Sequence, residues 1–176
     1  MKNKYKNIEK LLLGLDISTA NKIDLCLVLN RLKPATAIIF TTEKENQKSI
    51  KDLEAFLTNV GLKFSSEKDT RRVIKPGFGD MGIQIKRHVY GVSLKQSSAE
   101  KVRDLLIKDQ GDELDPDISH ELGFLFGYPQ EAVEEYGLSM KDYLKTGIFP
   151  KSLENNPELI KKYGHETWFP YLTYYP

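Results

Sequence analysis

The side chains of this 176-residue chain best suited to chemistry gather between positions 71 and 88. Arg71, Arg72 and Lys75 precede the string Gly77-Phe78-Gly79-Asp80-Met81-Gly82, and Lys86, Arg87 and His88 follow it. Glycines lack a Cβ, so an anion can approach the backbone N–H groups closely, and flanking cations would neutralise it. If the two flanks pair across a hairpin, the cations form one basic ribbon, a shape that can enter a nucleic-acid groove. The same pattern also describes an edge hairpin whose charges block edge-to-edge pairing. The string matches the G-x-G-x-x-G of dinucleotide-binding loops, but that loop needs a helix after it to hold the pyrophosphate. Here Pro76 precedes the string and Ile83-Gln84-Ile85 starts a strand, so a hairpin loop is the better reading. The expected ligand-binding set is therefore Arg71, Arg72, Lys75, Gly77, Gly79, Lys86 and Arg87.

Acid/base groups are sparse. His88, His120 and His165 show neither H-x-x-x-H nor H-E-x-x-H spacing, so no metal site is expected. His120 and Glu121 are adjacent, and adjacent residues on a helix do not face each other. His88, His120 and Asp80 remain the candidates for catalysis, should the basic loop hold a phosphorylated small molecule. No Ser/His/Asp or Cys/His grouping, Walker-type loop or paired-carboxylate motif stands out, and no cofactor is expected. Cys26 is the single cysteine, which excludes an intramolecular disulfide and a thiolate cluster. It sits in an apolar run, where cysteine is usually a small buried hydrophobe.

The elements that must position these groups can be read from periodicity. Tyr5, Ile8, Leu12 and Leu15 recur at helical spacing and predict a helix over 4–14. Ser18 or Thr19 can cap a second helix over about 20–32, apolar all round at Leu25–Leu29 and therefore expected to be central. Residues 35–40 read as a buried strand, and Ile50, Leu53, Leu57 and Val60 predict a helix over 47–60 that stops at Gly61. A short strand over 62–66 would complete a β-α-β unit. Further strands are predicted at 72–75 and 82–94, the second with a bulge or bend at Gly91. Ser97 and Glu100 suggest a capping box for a helix over 98–109 with Ala99, Val102, Leu105 and Leu106 facing inward. Helical pieces follow at about 118–126, 129–136, 139–145 and 156–163. The expected fold is α/β or α+β: a small mixed sheet with one β-α-β unit and a β-hairpin, flanked by N- and C-terminal helices.

Length and composition suit a single domain over 1–176 with an ordinary core. The longest apolar runs are far shorter than the ~20 residues a membrane-spanning helix needs. The basic N-terminus with Lys2, Lys4, Lys6 and Lys10 is not followed by a signal-peptide core, so a cytoplasmic location is the expectation. The net charge of +1 conceals two blocks. Residues 1–111 hold 21 basic and 13 acidic side chains, and 112–176 hold 5 and 12, giving +8 and −7. Either the halves attract each other, or the basic half meets an anion.

Residues 121–136 have the spacing of a helix-turn-helix. Gly123 is placed where two helices would cross, Gly127 where the turn would be, and Pro129 in the first turn of the following helix. That helix carries Glu131, Glu134 and Glu135 and no nearby cation, so its charge argues against DNA. A structural helical hairpin or a protein-contact surface fits better. Gly123-Phe124-Leu125-Phe126-Gly127-Tyr128-Pro129 resembles the Gly-x-Leu-x-Gly-Tyr-Pro signature of small prokaryotic families of unknown function, one mainly archaeal and one from Firmicutes. In the Firmicutes group a His-Glu commonly precedes the glycine, as His120-Glu121 does here. In the archaeal group a cysteine pair commonly follows the proline, where this chain has Glu131-Ala132, so no thiol or metal role carries over. The resemblance spans roughly 20 residues and implies no activity, since fold-level likeness alone does not bring a function.

The C-terminus holds Trp168, Phe169, Tyr171, Tyr174 and Tyr175 within nine residues. Such a tail packs back on its own core, or docks on a protein partner or a second copy. The leading expectation is a non-catalytic binding or regulatory protein whose basic hairpin takes an anion, such as a nucleotide or an RNA backbone. An enzyme acting on a phosphorylated small molecule and a structural subunit assembled through the tail are the alternatives.

Overall fold

The computed structural model describes residues 2–41, 47–73, 83–109 and 115–146. In chain order these form α1 (Lys2–Leu13), α2 (Thr19–Leu29), β1 (Ala35–Thr41), α3 (Gln47–Val60), β2 (Lys63–Val73), β3 (Ile83–Ser93), α4 (Gln96–Lys108), α5 (Pro116–Leu125) and α6 (Gln130–Thr146). The chain divides into two compact units, Met1–Glu134 and Glu135–Pro176, and the sheet and α1–α5 all belong to the first.

The fold is mixed α/β with a small sheet flanked by helices. The strand order is β1-β3-β2, and β3 pairs antiparallel with both neighbours. The expected mixed sheet is thus corrected to a wholly antiparallel one. β1 and β2 still run parallel, joined through α3, but β3 lies between them, so the β-α-β unit is split. The hairpin is present and longer than expected. The two short strands expected at 62–66 and 72–75 are one continuous β2, paired with β3 from Lys63↔Ser93 to Val73↔Ile83.

Side chains alternate across a strand, so the register sorts residues onto two faces. Ile38, Phe40, Tyr90 and Val92 point to one face and pack with Leu12, Leu15, Leu25, Val28, Leu53, Phe56 and Leu57 of the α1–α3 layer. Ala35 and Val89 point to the other and pack with Val102, Leu105 and Leu106 of α4 and Ile118 and Leu122 of α5. Leu25, Ile38, Leu53 and Leu57 are fully buried, each worth about 1.5–3 kcal/mol of transfer free energy. The inward set expected for α4 is all buried. α2 is not the central helix its composition suggested: Ile23 and Cys26 are exposed, and only Asp24, Leu25 and Val28 are buried.

Local signals explain the boundaries. The Ser18 hydroxyl accepts from the Asn21 N–H at 3.1 Å and starts α2. α3 runs over the expected residues and stops at Gly61, whose φ is +79°. The capping box expected at Ser97 does not form. α4 starts after Lys95, which makes no side-chain cap, and Glu100 accepts from Gln96 Nε2 at 3.0 Å instead. Asp115 caps α5 by accepting from the Asp117 and Ile118 N–H groups. The two helical pieces expected after Pro129 are one helix, α6, and the piece expected at 156–163 lies outside the described residues.

The α5–α6 turn has the expected helical-hairpin geometry. The Tyr128 N–H donates to Gly123 O and the Gly127 N–H to Phe124 O, both at 3.0 Å, a Schellman closure. Gly127 has φ +81°, and a Cβ there would lie 2.5 Å from Pro34 Cδ. Gly123 is the crossing residue, since its Cβ would meet Val133 Cγ2 at 2.8 Å. Beneath this turn, Asp24 Oδ2 accepts from Lys33 Nζ and Thr36 Oγ1, each at 2.7 Å, and Lys33 Nζ lies 5.1 Å from the Phe126 ring centroid. This buried group fastens α2, β1 and the α5 end together. Gly91 marks no bulge, because pairing continues through it on both sides. A Cβ at Gly91 would fall 2.0 Å from Ala99 O, so the missing side chain lets α4 lie directly on β3.

Candidate anion-binding face

β1 pairs only with β3 residues 87–93, so β2 and β3 continue past it as a two-stranded ribbon. Of the cations singled out from the sequence, Arg71, Arg72, Lys86 and Arg87 lie on the described ribbon, and the register divides them.

The face toward α4 holds Glu67, Asp69 and Arg71 on β2 and Arg87 on β3, and here the charges cancel in pairs. Arg87 Nε donates to Asp69 Oδ1 at 2.9 Å, Arg87 Nη2 bonds Asp69 Oδ2, and both side chains are under one-tenth exposed. Arg87 Nη2 also donates to Leu106 O at 3.2 Å. Arg71 Nη1 lies 3.4 Å from Asp109 Oδ2. Arg103 on α4 reaches back to Glu67 at 3.7 Å and donates to Ser65 Oγ at 2.6 Å. Burial pushes the Asp109 carboxyl above the ordinary carboxylate range, against the pull of Arg71. Arg71 and Arg87 were expected to bind a ligand; both make ion pairs that hold the hairpin to itself and to the end of α4.

The opposite face differs. Lys68 and Thr70 on β2 and Gln84 and Lys86 on β3 are exposed, and His88 is half-buried between them. Across the register Lys68 is opposite His88, Thr70 opposite Lys86, and Phe40 of β1 opposite His88 from the other side. Among the described ribbon residues this face carries no carboxylate, because Glu67 and Asp69 both point the other way. The His88 ring lies against Tyr90, tilted by 45° with centroids 4.5 Å apart. Tyr90 is fully buried, meets Phe40 edge-on at 5.9 Å and donates its hydroxyl proton to Glu54 Oε1 at 2.8 Å.

Of the residues predicted to act, Lys86 and His88 share this face. Arg72 is opposite Gln84 in the register, and its side chain is outside the described residues. Lys75, Gly77, Gly79 and Asp80 also lie outside the described residues, as do Trp168, Phe169, Tyr171, Tyr174 and Tyr175. His88 and His120 are not brought together. His120 sits on α5, in the layer on the other face of the sheet, with its ring edge-on to Phe124 at 4.9 Å. Sequence reading missed Lys68 and Thr70 because residues 67–71 look like a charged loop. The available signal was the lack of glycine or proline from Leu62 to Lys75, which permits one long strand.

A groove of about 580 Å³ runs between α1 and α3, lined by Lys10, Leu11, Leu15, Asp52, Phe56 and Asn59 among others. Among the described residues no three His, Cys, Asp or Glu side chains gather to hold a metal, and no helix is long and apolar enough to cross a membrane. The chain matches no known family model, no curated protein and no solved structure.

Proposed function

We propose that this chain is a non-catalytic binding protein that holds a phosphate-bearing polyanion on the ribbon face carrying Lys68, Lys86 and His88. The observation that carries this reading is the sorting of charge by face. Among the described ribbon residues the carboxylates lie on the α4 side, where Asp69 and Glu67 meet Arg87 and Arg103. The opposite face presents Lys68 and Lys86 at the surface, and no Asp or Glu of the described ribbon residues lies on that face. A cationic surface on low-dielectric backing attracts anions and concentrates them. Lysine suits this role, because its compact ammonium contacts phosphate as a point charge and tolerates varied geometry. The ribbon continues past β1 along two strands, with Lys68, Thr70, Gln84 and Lys86 exposed.

Titration of inorganic polyphosphate against the wild type and the Lys68→Glu/Lys86→Glu variant tests the reading. Wild-type affinity should fall steeply as salt rises from about 50 to 200 mM, through counterion release. The variant should lose at least about tenfold at the lower salt, with its thermal unfolding little changed. Equal binding by the two proteins would refute the site.

A further inference from the structure

We infer that the groove between α1 and α3 seats a second copy of this chain, in a two-fold dimer that packs α1 of each copy on α3 of the other. The inference is independent of the anion site, which uses other residues. Three observations support it.

The first is the apolar content of the groove. Leu15 of α1 and Phe56 of α3 belong to the buried core and line it, while Leu11 of α1 lines it with 51% of its surface exposed. Leu11 therefore stands in water beside an apolar slot of about 580 Å³. Covering both removes apolar surface from water, the general driving force of association.

The second is the shape. Leu11 and Leu15 are one helical turn apart on α1, and Asp52, Phe56 and Asn59 follow one another by a turn on α3, so one face of each helix forms a wall. A slot between two helices fits a helix laid along it. A two-fold dimer supplies that helix from the second copy. With the axis running along the slot, each α1 lies over the partner's α3, and four helices pack as two pairs.

The third is charge. Lys10 on the α1 wall and Asp52 on the α3 wall are the charged side chains lining the groove, both are exposed, and neither forms an ion pair. One charge of each sign gives the groove no preference for an anion or a cation. It does make the two walls complementary to each other. A two-fold contact sets the α1 wall of one copy against the α3 wall of the other, so Lys10 meets the Asp52 wall twice in one interface.

The experiment reads the mass of the full chain by sedimentation velocity over a concentration series. The variants are Leu11→Glu, Lys10→Asp and Asp52→Lys, each checked for native thermal unfolding, together with a one-to-one mixture of the last two. Wild type should move from one chain's mass toward two as concentration rises. Leu11→Glu should stay at one. Lys10→Asp and Asp52→Lys should each weaken the dimer at least about tenfold, because the two-fold axis brings like charges together twice. Their mixture should recover the wild-type dimer, since every cross-copy contact then joins opposite charges. A role for either side chain within its own copy would give no recovery on mixing. A wild type that stays at one chain's mass up to about 200 µM, above the range of weak specific interfaces, overturns the inference and leaves the groove to a different protein or to the chain's own aromatic tail. A dimer that none of the variants weakens, or a mixture that fails to re-form it, overturns the inference as well, because the copies would then meet through another surface.

Discussion

The two faces of the β2–β3 ribbon carry cations in different surroundings. Toward α4, Arg87 and Arg71 are spent on Asp69 and Asp109, with the Leu106 carbonyl taking a further Arg87 proton. Away from it, Lys68 and Lys86 stay at the surface beside His88. The residue types follow the task. Arginine's planar fork matches a carboxylate at two points and is weakly hydrated, so it can be buried in a pair. Lysine's ammonium is strongly hydrated and costly to bury, so it stays at the surface. Nothing in the run of cations announces this division. It comes from the period of two in a strand and from a register that places Asp69 across from Arg87 and His88 across from Lys68.

The largest expected effect lies on the inner face. Arg87→Ala leaves Asp69 charged and buried with its main cation gone, and should cost about 3–5 kcal/mol in urea unfolding. Asp69→Leu with Arg87→Met removes both charges and should recover most of that, because a buried pair is often worth little more than well-packed apolar residues. A cost below about 1 kcal/mol for Arg87→Ala would mean the pair is solvated, and the contrast between the faces would fail.

Gly91→Ala should come next. The added Cβ would press on Ala99 O, backbone that cannot rotate away, so α4 must lift from β3. Overpacking of this kind typically costs about 1–3 kcal/mol. Because α4 also roofs the arginine pairs, faster amide exchange at Leu106 and Arg87 should accompany the loss. Exchange confined to residues near 91 would show that the roof and the pairs are independent.

Asp109→Asn tests the inner face through pH. Burial holds the Asp109 carboxyl above its ordinary value, so the folded chain binds that proton more tightly than the unfolded one. Its contribution is therefore fully present below the unfolded value and is lost as pH rises through the raised, folded value. Wild-type stability relative to Asp109→Asn should fall with rising pH across that window, read from urea midpoints at a series of pH values. A difference that is flat, or that grows with pH, would show that Arg71 rather than burial governs this carboxyl.

Much of the scaffold was legible because its signals are local. Helix α3 followed from the Ile50–Leu53–Leu57 stripe and Gly61, and the α5–α6 turn from Gly123 and Gly127, where φ and close contact demand glycine. The parts that were not legible depend on pairing between distant residues. No local pattern says that β3 inserts between β1 and β2, which turned an expected mixed sheet into an antiparallel one. Glu67-Lys68-Asp69 has poor strand propensity, yet its pairing with Arg87–Val89 and the contacts of Arg103 carry β2 straight through it. The same contacts decided that Arg71 and Arg87 are fastened inside.

The smallest stability effect should come from the outer face, and it is the most informative about use. Lys86→Ala removes an exposed side chain, so unfolding should move by no more than about 0.5 kcal/mol. Its binding signature is different in kind. If Lys86 contacts one phosphate, the slope of log affinity against log salt should become shallower by about one, with the loss similar for every probe sequence. Arg87→Met paired with Asp69→Leu supplies the matching control from the other side, since it also alters a ribbon cation but should leave that slope where it was. Should the inner pair change the slope and Lys86 not, the anion would be using the α4 side, and the buried pairs would have to open to receive it.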